Sequence, residues 1–172
     1  MPDMHDSRDI DARSGPAANL TLDWDVVITN TAWPQVFAGL EPGGNLIQWV
    51  CLHPRAVQMP HWRRTARQLL LWYLAGIRRH GSNGRAAAIL HSCAAENPAV
   101  TPLLIDPDPA ELDRAWTDTV PITTTDAAGR HDVYEFQVST PVAFDLHTGR
   151  ILPPPFYSMA GVSSTGSAAL SI

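Results

Sequence analysis

The sequence predicts a single α+β domain, with α/β as the alternative, over residues 21–157. Two apolar runs bounded by turn residues flank a strongly helical segment, and the hydrophobic period changes to strict alternation after residue 132. A chain of 172 residues, of which 45% are hydrophobic, has the size of one domain with its own core. We therefore expect one βαβ unit followed by antiparallel strands, between disordered ends.

Both ends of the chain lack the pattern of packed structure. Residues 1–20 are rich in Asp, Ser, Gly, Pro and Ala without apolar periodicity, so they bury too little surface to offset the entropy of ordering. Residues 158–172 are small and polar and follow three consecutive prolines. We predict a disordered acidic leader at one end and a flexible tail at the other.

The first half of the domain predicts the βαβ unit. Residues 24–29 and 46–53 are apolar runs between turn residues, so both are predicted strands. Residues 60–80 form the clearest helix, since proline suits its first position, Gly81 follows its end and three basic residues complete its last turn. Residues 85–93 are then a third predicted strand, parallel to the second.

The second half predicts a short helix and antiparallel strands. The helix begins at Asp108, with Pro109 first inside it and Glu111 completing a capping box. Two alternating segments follow, and their apolar positions are Tyr134, Phe136 and Val138, then Val142, Phe144 and Leu146. The second segment leads into a turn at Thr148 and Gly149.

Charge is distributed unevenly along the chain. All 12 basic residues are Arg, and seven of them lie in residues 42–95, a stretch with four His and no Asp or Glu. The rest of the chain holds all 17 acidic residues, and the formal net charge is −5. Overall acidity disfavours nonspecific coating of nucleic acid, because the field of the whole molecule repels phosphate at long range. A local basic patch is needed to attract an anionic partner.

The arginines of the predicted helix form such a patch. At about 100° per residue, Leu69, Leu70 and Tyr73 lie on the apolar face, and most of the arginines lie opposite. We predict a non-enzymatic accessory or regulatory protein, such as an activator, that binds nucleic acid or an acidic protein surface through this helix. The predicted partner-binding residues are Arg63, Arg64, Arg67, Trp72, Arg78 and Arg79.

Two other interpretations of this helix stay open. In the first, the arginines form an ordinary solvent-exposed helix face and make salt bridges within the chain. In the second, the arginines pair with the acidic C-terminal half, either of the same chain or of a second copy, which would give self-association.

The alternative function is a small enzyme or ligand-binding protein. Cys51 and His53 lie at the end of one predicted parallel strand, and His91 and Cys93 lie at the end of the next. Ligands of α/β sheets bind at such strand ends, so these four side chains are candidates for a pocket, a catalytic Cys–His pair or a zinc site. Their spacing is not a recognised zinc signature, and we predict neither a tightly bound metal nor a cofactor.

The sequence excludes several other classes. The longest apolar run has nine residues, far fewer than the roughly 20 that span a bilayer. The acidic N-terminus does not resemble a secretory signal, and two cysteines are too few for a disulfide framework. We therefore predict a cytoplasmic protein without a membrane segment and with free thiols.

Overall fold

A computed structural model describes residues 10–81, 84–105, 107–115, 117–140, 143–145, 150–152 and 156–164. Its helices are α1 (Leu46–Leu52), α2 (Pro54–Val57), α3 (Trp62–His80), α4 (Gly84–Glu96) and α5 (Pro109–Ala115). Its strands are β1 (Ala17–Leu20), β2 (Val26–Thr29), β3 (Val120–Thr125), β4 (His131–Ser139), β5 (Ala143–Asp145), β6 (Arg150–Leu152) and β7 (Tyr157–Ser163). Two short 3-10 helices, Trp33–Gln35 and Thr101–Leu104, lie in the connections.

Five strands form one antiparallel sheet in the order β2-β1-β7-β4-β3. The last strand in sequence, β7, lies at the centre, with Ala18 opposite Met159 on one side and Phe136 opposite Gly161 on the other. Strands β5 and β6 form a separate antiparallel pair. Helices α1 to α5 all lie between β2 and β3 in sequence, so strands that precede and strands that follow this helical segment form the sheet.

The sheet confirms the α+β class and the antiparallel strands of the last third. Phe136 is fully buried, with Tyr134 and Val138 partly buried against the core, as their alternation predicted. The predicted hairpin near residues 142–149 corresponds to β5 and β6. Residues 142 and 146–149 of that prediction lie outside the described residues.

The predicted βαβ unit is wrong, because residues 46–53 form helix α1 where a strand was expected. The side-chain oxygen of Asn45 accepts hydrogen bonds from the backbone N–H groups of Ile47 and Gln48, at 3.0 and 3.1 Å, and caps this helix. An apolar run of this length is ambiguous between a buried strand and a buried helix. Here the helix is buried around most of its circumference.

Residues 85–93 are also helical and belong to α4. Three consecutive alanines, residues 86–88, begin the run, and Ala has the highest intrinsic helix propensity. With both predicted parallel strands replaced by helices, every strand pair among the described residues is antiparallel.

The central helix α3 agrees closely with its prediction. It begins at Trp62, two residues after the predicted start, and its C-cap is Gly81 with a φ of 90°, a conformation that glycine adopts readily. Leu69, Leu70 and Tyr73 are buried against the core, as the helical projection placed them. The exposed arginines consequently lie on the outer face.

Parts of the predicted leader and tail are ordered. All four residues of β1, 17–20, are buried, and Ile10 is also buried. Ser158 and Met159, which belong to the predicted tail, are buried in β7. Both predictions were wrong at these residues because strands at a sheet centre are covered by neighbours that are distant in sequence, which local composition does not reveal. Residues 1–9 and 165–172 are outside the described part.

The core between helices and sheet is rich in aromatic rings. Its largest fully buried aromatic side chains are Trp24, Trp33, Trp72, Tyr73, Tyr157, Phe37 and Phe136. Trp24 contacts Trp72, Tyr73 and Tyr157, with ring centroids 5.9–6.3 Å apart. Among the described helices, none is both long and apolar enough to cross a membrane.

Candidate functional site

The basic face of α3 borders a cleft of about 440 Å³. Arg63, Arg67 and Leu71 follow one another at successive turns of α3, because residues four apart share one face of a helix. The opposite wall comes from α5 and from the segment that leads into β3. That wall is lined by Glu111, Arg114, Ala115, Asp118, Thr119 and Val120.

Arg67 fixes the two walls to each other. Its Nη2 donates to both carboxylate oxygens of Glu111, at 3.0 and 3.2 Å, and its Nη1 donates to the backbone oxygen of Leu103 at 3.0 Å. The bidentate geometry is the strong form of an arginine–carboxylate pair. Arg67 is therefore engaged within the chain, and Glu111 points to α3 instead of completing the predicted capping box.

Positive charge is in excess in the cleft. Four arginines and two carboxylates line it, and one of the arginines is already paired with Glu111. Arg63 and Arg64 are exposed and make no ion pair within the described part of the chain. Their guanidinium groups are the donors available to an anion that enters the cleft.

Apolar side chains form much of the rest of the lining, beside the polar Gln68 and Thr119. Trp72 is 2% exposed, its Nε1 donates to the backbone oxygen of Ala115, and its ring reaches the cleft from within the core. Val120 is buried at the start of β3, and Leu71 is partly buried. Trp72 was predicted to bind a partner, and its burial leaves its ring accessible only to a molecule that enters the cleft.

The last two predicted partner-binding residues lie outside this cleft. Arg78 and Arg79 border a second cavity of about 400 Å³ with Ala75, Leu112 and Asp113. Arg78 lies 4.0 Å from the Asp113 carboxylate and donates to the backbone oxygen of Pro109 at 3.4 Å. The basic face is therefore divided between two sites, with Arg63, Arg64, Arg67 and Trp72 at the larger one.

The four residues of the alternative site do not form a common pocket. Cys51 and Cys93 are fully buried where α1 packs against α4. His53 caps α2 by accepting from the Arg55 N–H, and its ring stacks on Trp49. His91 is exposed on α4. No group of three or more His, Cys, Asp or Glu within the described ranges is arranged to hold a metal ion.

Sequence reasoning missed the opposite wall of the cleft. Glu111 is separated from Arg67 by 44 positions, so no helical projection connects them. Two features of the sequence could have suggested the contact between α3 and α5: the arginine face of α3 lacks acidic residues, and α5 contains them. From the sequence alone, these features indicated only the possibility that the arginines pair with acidic residues of the same chain.

A cavity of this size, in which charged groups converge beside apolar side chains, is typical of a small-molecule binding domain. The chain belongs to the family described as the MmyB-like transcription regulator ligand binding domain, whose model matches residues 11–118. That range contains all five helices, β1, β2 and most of the cleft lining. A comparison with curated proteins gave no match. A comparison with solved structures gave none either.

Family membership confirms the coarse prediction of a regulatory protein, and it connects the chain with the regulation of transcription.

Proposed function

We propose that this chain is a ligand-responsive regulatory module that binds a small organic anion in the cleft between α3 and α5. The observation that carries the proposal is the excess of arginine on an apolar wall, inside the region that matches a ligand-binding domain family. A cytoplasmic location is part of the proposal, since transcription regulators act there in cells without a nucleus.

The two kinds of lining have different roles in this proposal. Arg63 and Arg64 bind the anionic group of the ligand, and Arg114 faces them from the other wall. Leu71, Trp72 and Val120 contact the apolar body of the ligand and remove it from water. The ligand class is therefore an amphipathic anion of modest size.

The experiment compares two fluorescent probes that differ in charge. Anilinonaphthalene sulfonate (ANS) carries an anionic sulfonate on an aromatic body, and N-phenylnaphthylamine has the same body without the charge. We expect Arg63→Gln to weaken ANS binding about fivefold, since a partly exposed ion pair contributes about 1 kcal/mol. Binding of the neutral probe should change little.

Arg78→Gln is the matched control, because Arg78 lies on the same helix but outside the cleft. It should leave the affinity for ANS unchanged. Equal loss in both variants, or no loss in either, would show that ANS binds elsewhere and that the cleft is not an anion site.

Direct binding of nucleic acid is the second candidate function. It is favoured by the exposed arginines spread along α3, whose 19 residues extend about 28 Å. Titration of a labelled DNA duplex at two salt concentrations tests it, because phosphate contacts give an affinity that falls steeply with salt. Here Arg78→Gln should weaken binding as much as Arg63→Gln does. An acidic protein partner and self-association stay predictions, without a described contact that favours either.

A further inference from the structure

The two cysteines, 42 positions apart, meet inside the helical layer. Cys51 of α1 and Cys93 of α4 are both 0% exposed. The Cys93 Sγ lies 4.0 Å from the backbone oxygen of Ile47, one helical turn before Cys51. The Asn97 side chain donates to the backbone oxygen of Cys51 at 2.7 Å, which holds the end of α4 against α1. The two thiols therefore lie close to each other between α1 and α4.

This contact makes the two thiols unequal. The hydrogen bond with Cys93, together with burial, raises the pKa of the Cys51 thiol. The same hydrogen bond from Cys51 lowers the pKa of the Cys93 thiol. Cys93 is therefore the better nucleophile and Cys51 the proton donor beside it.

We propose that Cys51 and Cys93 form a reversible intrachain disulfide when the protein is exposed to hydrogen peroxide. The Cys93 thiolate attacks one peroxide oxygen, the O–O bond breaks, and the leaving hydroxide takes a proton to become water. The Cys51 sulfur then attacks the sulfur of the resulting sulfenic acid, and a second water leaves with the Cys51 proton. The two thiols are oxidised by two electrons in total, and the peroxide is reduced to two waters.

The bridge would constrain the part of the chain that carries the cleft. It closes a loop from α1 to α4 that contains all of α3, so it restricts separation of the helices around the basic face. Because both thiols are buried, the peroxide reaches them only when the helices open locally. Oxidation should thus be slow in the native protein and should raise its melting temperature.

The test treats the full chain with hydrogen peroxide, removes the peroxide, and alkylates free thiols with N-ethylmaleimide in denaturant. We expect intact-mass analysis to show a chain with no alkylated thiol, and dithiothreitol to restore both alkylation sites. Oxidation of methionine adds oxygen but leaves the thiols alkylatable, so it does not imitate this result. Two alkylated thiols after peroxide, a loss that dithiothreitol does not reverse, or a bridge between two chains on a non-reducing gel would each overturn the proposal.

Single variants test the assigned roles. In Cys51→Ser, Cys93 should accumulate as a sulfenic acid that dimedone traps, whereas in Cys93→Ser the Cys51 thiol should resist peroxide. Cys51→Ala and Cys93→Ala serve if a serine hydroxyl is not tolerated in the buried site. Dimedone labelling in the Cys93 variant but not in the Cys51 variant would reverse the roles and overturn the mechanism.

Discussion

At the scale of single residues, the core depends on close contacts that few side chains could replace. Trp24 has a φ of 67°, in the left-handed region that costs a residue with a Cβ roughly 1–2 kcal/mol. This turn places its ring, fully buried, against Trp72, Tyr73 and Tyr157. The burial of such a large aromatic surface offsets the backbone strain.

Gly161 in the central strand β7 also makes a close contact in the core. A Cβ at this position would lie 2.6–2.9 Å from three ring carbons of Phe136, which is fully buried. We expect Gly161→Ala to destabilise the protein by about 1–3 kcal/mol, measured by urea unfolding. Gly84→Ala is the control, since nothing lies within 4 Å of its added Cβ, and it should be neutral or slightly stabilising. Equal effects would show that the contact with Phe136 relaxes.

The buried Tyr73 leads us to expect that the free energy of unfolding decreases at alkaline pH. Burial raises the pKa of Tyr73, and burial raises the pKa of Tyr157 to about 12. A raised folded-state pKa means that stability is complete below the unfolded value, about 10, and is lost as pH rises through the folded-state values. The Tyr73 hydroxyl also finds no hydrogen-bond partner among the described atoms.

Tyr73→Phe should therefore have two effects. At neutral pH it should be neutral or stabilising by about 1 kcal/mol, because it removes a buried unpaired hydroxyl. Above pH 10 its free energy of unfolding should fall less steeply than that of the wild type. Urea unfolding over this pH range measures both, and parallel curves for the two proteins would contradict the assignment.

The helical projection brought together four of the residues that line the cleft. Arg63, Arg64, Arg67 and Trp72 could be predicted because one helix face brings them together. Which of these arginines are paired within the chain could not be predicted, because the partner of Arg67 depends on how a helix distant in sequence packs.

At the scale of elements, the docking of α5 on α3 determines which arginines are available. Of the described residues of α5, only Ala115 is buried, so polar contacts hold much of this short helix in place. Arg67 pairs with Glu111, and Arg78 lies near Asp113, at the two ends of the interface. The acidic residues of α5 therefore compete with any anionic ligand for the same helix face.

Glu111→Gln tests this competition. Removing the carboxylate charge leaves Arg67 more available to the sulfonate of ANS, so the affinity should rise about twofold to fivefold. The cost in stability should be below about 1 kcal/mol, because both partners are about one-third exposed. Asp113→Asn changes a carboxylate of the same helix outside the cleft and should leave ANS binding unaltered. Weaker binding in Glu111→Gln would show that Glu111 supports the cleft instead of competing in it.

The elements that were predicted wrongly share one physical cause. Residues 46–53 and 85–93 are apolar or Ala-rich runs of eight and nine positions, too short for the hydrophobic period to separate helix from strand. The Asn45 cap and the consecutive alanines were the local signals for helices. By contrast, α3 was predictable because its 19 residues repeat the helical hydrophobic period over several turns.

At the scale of the whole molecule, part of the charge asymmetry is compensated within the fold. Arg85 of α4 donates to Asp25 at 2.6 Å and lies 3.9 Å from Asp23, while Arg67 and Arg78 face the acids of α5. The basic segment thus contacts acidic residues that precede it in sequence and acidic residues that follow it. Of the described arginines in residues 42–95, Arg55, Arg63 and Arg64 have no ion pair within the described part of the chain, and the last two line the cleft.

The fold also depends on its last strand. Strand β7 joins the β1–β2 hairpin to the β3–β4 hairpin, and two-stranded hairpins are marginally stable alone. Met159 points from β7 into the core with no exposed surface, while Val162 on the same strand is 69% exposed. A residue in the predicted tail is therefore central to the stability of the whole domain.

Paired lysine substitutions on β7 test this dependence. Met159→Lys buries an unpaired ammonium group, at a cost of several kcal/mol, a large fraction of the roughly 5–15 kcal/mol that stabilises a domain. Because β7 holds both hairpins, we expect loss of the cooperative unfolding transition in circular dichroism and in tryptophan fluorescence together. Val162→Lys places the same charge opposite Glu135 on β4, where it should be neutral or slightly stabilising. A Met159→Lys protein that still unfolds in one transition near the wild-type midpoint would mean that the helices and the hairpins fold without β7.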